Sequence, residues 1–351
     1  MSRVGSKKLS KNAVMVKLSS PTPRFTMHRP TLRFSFGLRR FVGLALATAA
    51  LAAQAQTFQF VALGDLPYGD PAKVGAPYRA LIGGINRLQP AFSIHIGDFK
   101  SGSTRCTNEE FQTQLQHFGM FESALVFTPG DNEWTDCHRA NNGAFDPLER
   151  LTALRGMFFP AGKSLGQAPL AVQNQAAVAP THAKFVENLR WQHQGVLFNT
   201  VHIVGSNNNF EVRDARAVAE FMERDRANIA WIQDAFAQAQ QSGAKALVFA
   251  MQADVFDSKS LWDDFPGHSG FRTSIGETLL PLAAAARIPV LLIHGDSHVF
   301  RFDQPFTLNK APITNLTRLE VPGANDMRAV HVTVDTRAAQ PWGVRLVEVA
   351  R

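Results

Sequence analysis

Val126–Cys137 reads VFTPGDNEWTDC. The β-branched and aromatic run Val126, Phe127, Thr128 forms the end of a buried strand. Pro129 and Gly130 break it, and Asp131 stands at the strand's carboxyl end, the edge at which open α/β sheets bind ligands. The pattern recurs. FVALGD ends at Asp65, FSIHIGD at Asp98 and LLIHGD at Asp296. A single Gly-Asp pair is only a turn signal. Four such runs, each closing a buried strand, collect four carboxylates on one edge, where they repel unless cations lie between them. The sequence points to a metal site.

The chain has 351 residues, and its first 55 differ from the rest: they hold ten Lys/Arg and no Asp or Glu. Phe41–Ala53 is an apolar run too short to span a bilayer, and Ala53-Gln54-Ala55 has the small-x-small pattern of a signal-peptidase site. The expectation is a basic leader and signal peptide over residues 1–55, cleaved after Ala55, followed by one domain over 56–351. The address is secreted or periplasmic, with no stable membrane anchor after cleavage. The leader also accounts for the charge. The whole chain is +7, from 36 basic and 29 acidic residues; taking the leader's ten away leaves 26 against 29, a net of −3. No nucleic-acid partner follows, since that needs a basic patch on the folded domain. The two cysteines, Cys106 and Cys137, follow the Asp98 and Asp131 loops. In an oxidising compartment they are expected to form a disulfide tying those loops together.

Element signals alternate along the chain. Strands are expected over Thr57–Leu63, Phe92–Ile96, Ala124–Thr128, Phe185–Trp191, Val196–Val204, Lys245–Met251 and Val290–Ile293, with Gln192–Gly195 as a hairpin turn. Helices are expected over Ala72–Leu88, Asn108–Phe118, Asp146–Met157, Arg216–Gln241 and Thr273–Ala286. Phe159–Ala183 reads as a long surface loop. The tail is strand-only, near Thr317–Val321, Ala329–Val334 and Gly343–Val349. The βαβ alternation argues for parallel sheet and the strand-only tail for a second, mixed one. The fold class is α/β: two stacked mixed β-sheets flanked by helices, a four-layer αββα sandwich.

The blocks Gly64-Asp65-Leu66-Pro67-Tyr68, Gly97-Asp98-Phe99-Lys100, Gly130-Asp131-Asn132-Glu133, Phe249-Ala250-Met251-Gln252-Ala253-Asp254 and Gly295-Asp296-Ser297-His298 come in an order that resembles the calcineurin-like metallophosphoesterase family, including its purple-acid-phosphatase branch. The resemblance spans about Phe58–Phe300. It implies that Asp65 binds a first metal and that Asp98 bridges two. Asp131 then stands at the family's ligand Asn, Asp296 at the first His of Gly-His-x-His, His298 at its second, and Gln252 at a separate ligand His. Pro67 replaces a ligand His and cannot ligate through its side chain; Tyr68 beside it is a candidate substitute.

These departures exchange imidazole for oxygen, and carboxylates suit harder cations. The expected cofactors are two divalent ions, Mn, Mg, Ca or Fe rather than Zn. Asn132 stands where the family has a proton-donating His, and an amide cannot do that work; it is expected to hydrogen-bond a phosphate oxygen instead. His294 is the preferred replacement acid, with His95, His138 and His202 behind it. Lys100 and Arg213 are candidate phosphate neutralisers, and Asn207–Asn209 a candidate pocket lining. The implied activity is hydrolysis of a phosphorylated small molecule or other phosphoester. The lost imidazoles also fit a catalytically silent metal-binding member acting as a binding module.

Overall fold

The computed structural model of the protein describes residues 57–255 and 269–347; the expected leader and cleavage site lie outside the described residues. β1 (Thr57–Leu63) alternates. Phe58, Phe60 and Ala62 point into one apolar layer, Val61 and Leu63 into another. That period of two is what a strand buried on both faces requires. β2 (Phe92–His95) and β3 (Ala124–Phe127) pair parallel beside it.

The first sheet runs β15 (Trp342–Val347), β14 (Ala329–Asp335), β1, β2, β3, β4 (Leu165–Gly166). The second runs β10 (Arg301–Asp303), β13, β9, β8, β7, β6 (Leu189–His193), β5 (Gln173–Asn174), and β11 (Thr307–Leu308) pairs with β12 (Ala311–Pro312) in a small separate sheet. The centre of the second is the parallel set β13 (Leu316–Glu320), β9 (Val290–His294), β8 (Ala246–Ala250) and β7 (Val196–Thr200). Both large sheets are mixed, because antiparallel strands close the edges. Phe60, Phe92, Ile94, Val126, Phe198, Val248 and Leu291 fill the layer between the sheets. The outer face of the first sheet is covered by α1 (Pro71–Leu88), α2 (Asn108–Phe118) and α3 (Pro147–Phe158), through Tyr78, Leu81, Phe111, Phe118 and Leu154. The outer face of the second is covered by α4 (Ala215–Ser242) and by Arg272–Ala285, through Trp231, Ile232, Ala235, Ile275 and Leu279. This is the expected four-layer α/β arrangement.

The helix ends follow their capping chemistry. Asp70, Asp146 and Asp214 are N-caps whose carboxylates accept backbone N–H groups of the first turn, and Gly243 closes α4 with φ 65°. Several boundaries differ from expectation. Phe159–Ala183 is more than a loop: β4 (Leu165–Gly166) adds an edge to the first sheet and β5 (Gln173–Asn174) an edge to the second. Two-residue strands leave no periodic signal. The strand expected over Phe185–Trp191 begins at Leu189, because the Asn188 side chain is tied to Gln175 and Asn228. It then runs to His193, since the hairpin turn is only Gln194-Gly195, both at positive φ. The helix expected over Thr273–Ala286 is π-helical across Arg272–Leu279. Pro281 lacks the N–H that a regular turn would use there. The strand-only tail is divided between the sheets: β13 joins the second, while β14 (Ala329–Asp335) and β15 (Trp342–Val347) complete the first. β10 (Arg301–Asp303) was not signalled by its sequence, being short and polar. Among the described residues, no helix is long and apolar enough to cross a membrane.

Candidate metal centre

β1, β2, β3 run parallel in one sheet, and β7, β8, β9 in the other, so the loops leaving them open along the strands' carboxyl edge. Asp65, Asp98, Asp131 and Asp296 are all on these loops. Asp65, Asp98 and Asp296 have φ of 53°, 54° and 73°, in the left-handed region that Asp tolerates better than most residues. The loops also touch closely. A Cβ on Gly97 (φ 105°) would lie 2.3 Å from Gly130 N, and one on Gly130 would lie 2.0 Å from Asp98 Oδ1. Only glycine fits either place.

Carboxylate oxygens of Asp98, Asp131 and Asp296 lie within 4.8 Å of one another. Asp65 joins them, its two oxygens accepting the Asp296 N–H at 3.3 and 3.2 Å. His298 Nε2 is 3.7 Å from Asp65 Oδ1. The structure thus gathers the four aspartates and His298 in one place. The chain is an α/β fold of two mixed sheets with a carboxylate cluster at their strands' carboxyl edge.

No family model matches the chain, and no curated protein does. Solved structures similar to it include a dimetal phosphatase from Danio rerio, at 9% identity over 84% of this chain and 99% of that one, with a TM-score of 0.48. Purple acid phosphatase PPD1 from yellow lupin, Lupinus luteus, is similar at 11% identity over 84% and 54%, with a TM-score of 0.47. GAP50, described as the anchor in the inner membrane complex of Plasmodium, is similar at 11% identity over 84% and 90%, with a TM-score of 0.45.

Each carboxylate is held by a neighbour. Asn132 grips Asp98 twice, through its backbone N–H to Oδ1 (3.1 Å) and its side-chain amide to Oδ2 (2.5 Å). The same amide donates to the Tyr68 hydroxyl at 2.7 Å, and that hydroxyl donates to Asp98 Oδ2 at 2.6 Å. Both protons of the Asn132 amide are therefore directed at Tyr68 and Asp98. Gln252 is bonded in the same way. Its amide donates to Asp131 Oδ1 (3.2 Å), while its Oε1 accepts the Gly205 N–H (2.6 Å). Both ends of its amide are thus bonded within the protein, beside the carboxylates.

Ser206 is a residue that the sequence did not reveal. Its Oγ lies 2.8 Å from both Asp131 Oδ2 and Asp136 Oδ1. It opens a run, Ser206–Asn209, in which four consecutive non-glycine residues have φ between 49° and 60°. Such a left-handed turn costs roughly 1–2 kcal/mol per residue for an ordinary side chain and less for Asn. The turn is fixed from outside by Arg224, which bonds Asn208 Oδ1 (2.5 Å) and Asn208 O (2.9 Å), and by Asn209 to Glu220 (2.8 Å). The three consecutive asparagines were its only trace in the sequence.

His294, the preferred acid, does not enter the group. It is fully buried, its Nδ1 bonded to its own neighbour Gly295 O at 3.2 Å, its Nε2 without a hydrogen-bond partner, and burial lowers its pKa. A neutral imidazole keeps its single N–H and is far too weak an acid to protonate a leaving group near neutral pH. His95 and His202 are likewise buried, pushed down to about 3 and about 4 by desolvation. Lys100 is buried with its Nζ on Ser101 O, and Arg213 is an exposed partner of Glu211.

The electrostatics test whether cations fit. Burial, followed by the charge of Asp296 for Asp65 and of Asp131 for Asp98 and Asp296, holds these three carboxyls well above the usual range. Burial raises Glu133 to about 7, and burial with Asp131 raises Asp136 to about 6. Such a set is costly unless protonated or neutralised. The donors are oxygens converging on one buried point, with one imidazole at the rim. They fit hard divalent cations.

Proposed function

We propose that the chain is an exported, metal-dependent phosphoester hydrolase. The observation that carries this reading is the convergence of Asp98, Asp131 and Asp296 oxygens within 4.8 Å, with Asp65 bonded to the same loop. These four and His298 would hold the cations, Asp98 between them. Bound divalent ions would supply charge neutralisation at the phosphoryl group and acidify water. The chain's own residues do the positioning: Asn132 and Tyr68 fix Asp98, while Gln252 and Ser206 fix Asp131. Manganese, magnesium, calcium or iron suit the oxygen-rich set better than zinc. The leader over 1–55 and the Cys106–Cys137 disulfide support export.

A second reading is favoured by one observation. The Asn132 amide is spent on Tyr68 and Asp98 and offers no titratable proton, so a metal-binding module without turnover also fits. The test is turnover of chromogenic phosphomonoesters and diesters by metal-stripped protein resupplied with single cations, alongside Asp98→Ala and Asp98→Asn. Activity with manganese or magnesium that both variants abolish supports the hydrolase. Tight cation binding with no turnover under any metal would move the assignment to the silent module. Zinc as the sole effective ion would overturn the ligand roles of Asp131 and Asp296.

A further inference from the structure

Glu320 closes β13. Its register partners are His294, the last residue of β9, on one side and Arg301 of β10 on the other. The parallel pairing with β9 brings a further carboxylate to the edge on which the four aspartates stand, and this one is fully buried. Both of its oxygens are already taken. Oε1 accepts the Ser297 hydroxyl and, at 3.3 Å, the Val299 N–H, while Oε2 accepts Arg301 Nη1. Arg301 Nη1 also donates to Ser297 Oγ at 3.1 Å, and Arg318 Nη1 lies 4.0 Å from Oε2. Two guanidinium groups thus offset the buried charge.

These bonds hold the loop that leaves β9, in which Asp296, φ 73°, and His298, φ 64°, flank Ser297. Left-handed backbone is unfavourable for a residue with a Cβ, and it persists only where the surroundings impose it. Here the Ser297 N–H bonds Gly295 O at 3.0 Å, and both the Ser297 hydroxyl and the Val299 N–H are fixed on Glu320. At the start of the loop the Asp254 N–H donates to Asp296 Oδ2 at 3.3 Å, and Arg301 Nη1 reaches within 3.9 Å of Asp254 Oδ2. His298 depends on this frame most. Its Nε2 is 3.7 Å from Asp65 Oδ1 and its ring meets that of Tyr68 edge-on at 5.1 Å, yet its side chain is 34% exposed. The backbone beneath the ring therefore sets its direction.

We propose that Glu320 is a positioning residue of the carboxylate centre, locking the left-handed Asp296–His298 turn so that one carboxylate and the His298 imidazole face the same cations. This rests on the metal centre proposed above, whether or not that centre turns over a substrate. Glu320 acts through Ser297 and Val299, because its own oxygens are committed to the loop and to Arg301. Residues that orient ligands from behind in this way commonly govern cation affinity by tenfold or more.

The experiment measures manganese affinity by calorimetry on the full chain carrying Glu320→Ala, Glu320→Gln, Ser297→Ala or the Ser297→Ala/Glu320→Ala pair. Arg337→Ala is the distant control, and the thermal midpoint of each metal-free protein is recorded alongside. Both Glu320 variants are expected to weaken manganese about tenfold or more, and Ser297→Ala roughly three- to tenfold. The double variant should match Glu320→Ala within about twofold, since both changes break one contact. Arg337→Ala should be unchanged. If Glu320→Ala does not fold, Glu320→Gln and Ser297→Ala decide the matter alone. A lowered midpoint with unaltered manganese affinity would make Glu320 merely structural; that overturns the inference and leaves the metal centre standing. Losses that multiply in the double variant would separate Ser297 from Glu320 and overturn the shared anchor. Wild type that binds neither manganese, magnesium nor calcium overturns the centre and the inference together. Affinity that falls as expected, in a protein that hydrolyses no phosphoester, supports the inference and removes only the hydrolase.

Discussion

The side-chain amide of Asn132 donates to the Tyr68 hydroxyl at 2.7 Å, and that hydroxyl in turn donates to Asp98 Oδ2. Two residues from different strand-end loops, 64 positions apart, thus act on one carboxylate. The pair explains why Asn serves at position 132. It orients Asp98 rather than transferring a proton, and a titrating group there would vary the very charge it has to hold.

Tyr68→Phe removes one donor to Asp98 and leaves the Asn132 amide short of an acceptor. One such buried hydrogen bond contributes roughly 1–3 kcal/mol. The variant is expected to fold normally and lose between five- and a hundredfold in cation affinity. Calorimetric titration with manganese checks this; unchanged affinity would remove Tyr68 from the centre.

Glycine substitutions separate site from scaffold. A Cβ on Gly205 would lie 2.7 Å from Asp296 Oδ2 and 2.8 Å from Asp131 Oδ2, whereas one on Gly156 meets nothing within 4 Å. Gly205→Ala should therefore displace the carboxylates and abolish cation binding. Gly156→Ala, on the exposed side of α3, should stabilise by about 0.5–1 kcal/mol. Thermal melts with and without manganese read both outcomes.

The disulfide joins Cys106 to Cys137 across 31 residues. It ties the loop after Asp98 to the turn that carries Asp136, His138 and Arg139. Replacing both cysteines by alanine is expected to lower stability by about 3–4 kcal/mol in the chain-entropy model. Denaturant unfolding of oxidised, reduced and substituted protein measures the loss, and a midpoint indifferent to reduction would contradict it.

Acid sensitivity follows from a buried trio. Glu187 is held far below the ordinary carboxylate range. Burial opposes its ionisation, but Arg155 and the His202 hydrogen bond at 2.8 Å outweigh it. Desolvation lowers His202 to about 4. Between about pH 6.5 and pH 4 the unfolded chain binds a proton on His202 that the folded chain does not. Stability therefore falls as pH drops through that window, and Glu187 adds loss in the same direction below its unfolded pKa. Unfolding free energy at pH 7.5 should exceed that at pH 4.5, with His202→Gln flattening the upper part of the slope. A pH-independent midpoint would contradict the assignment.

The sequence by itself determined the layered α/β fold and the four Asp-bearing loops. A period-two apolar run followed by Gly-Asp is a local signal, and parallel strands place all such loops on one edge whatever joins them. It also placed the cysteine pair, because the chain has only two cysteines. Tertiary structure alone decided the division of the tail between two sheets, the edge strands inside Phe159–Ala183, and the partners of each carboxylate. Sheet choice depends on which exposed ladder a late strand meets, and a two-residue strand has no period to read. Gln252 and Asn132 could be aligned as ligand and phosphate donor because alignment sees residue type. Their hydrogen bonds depend on loops 34 to 121 residues away. Ser206 was silent for the same reason: its left-handed turn is held by Arg224 on α4, and no local pattern encodes a strain that a distant side chain maintains.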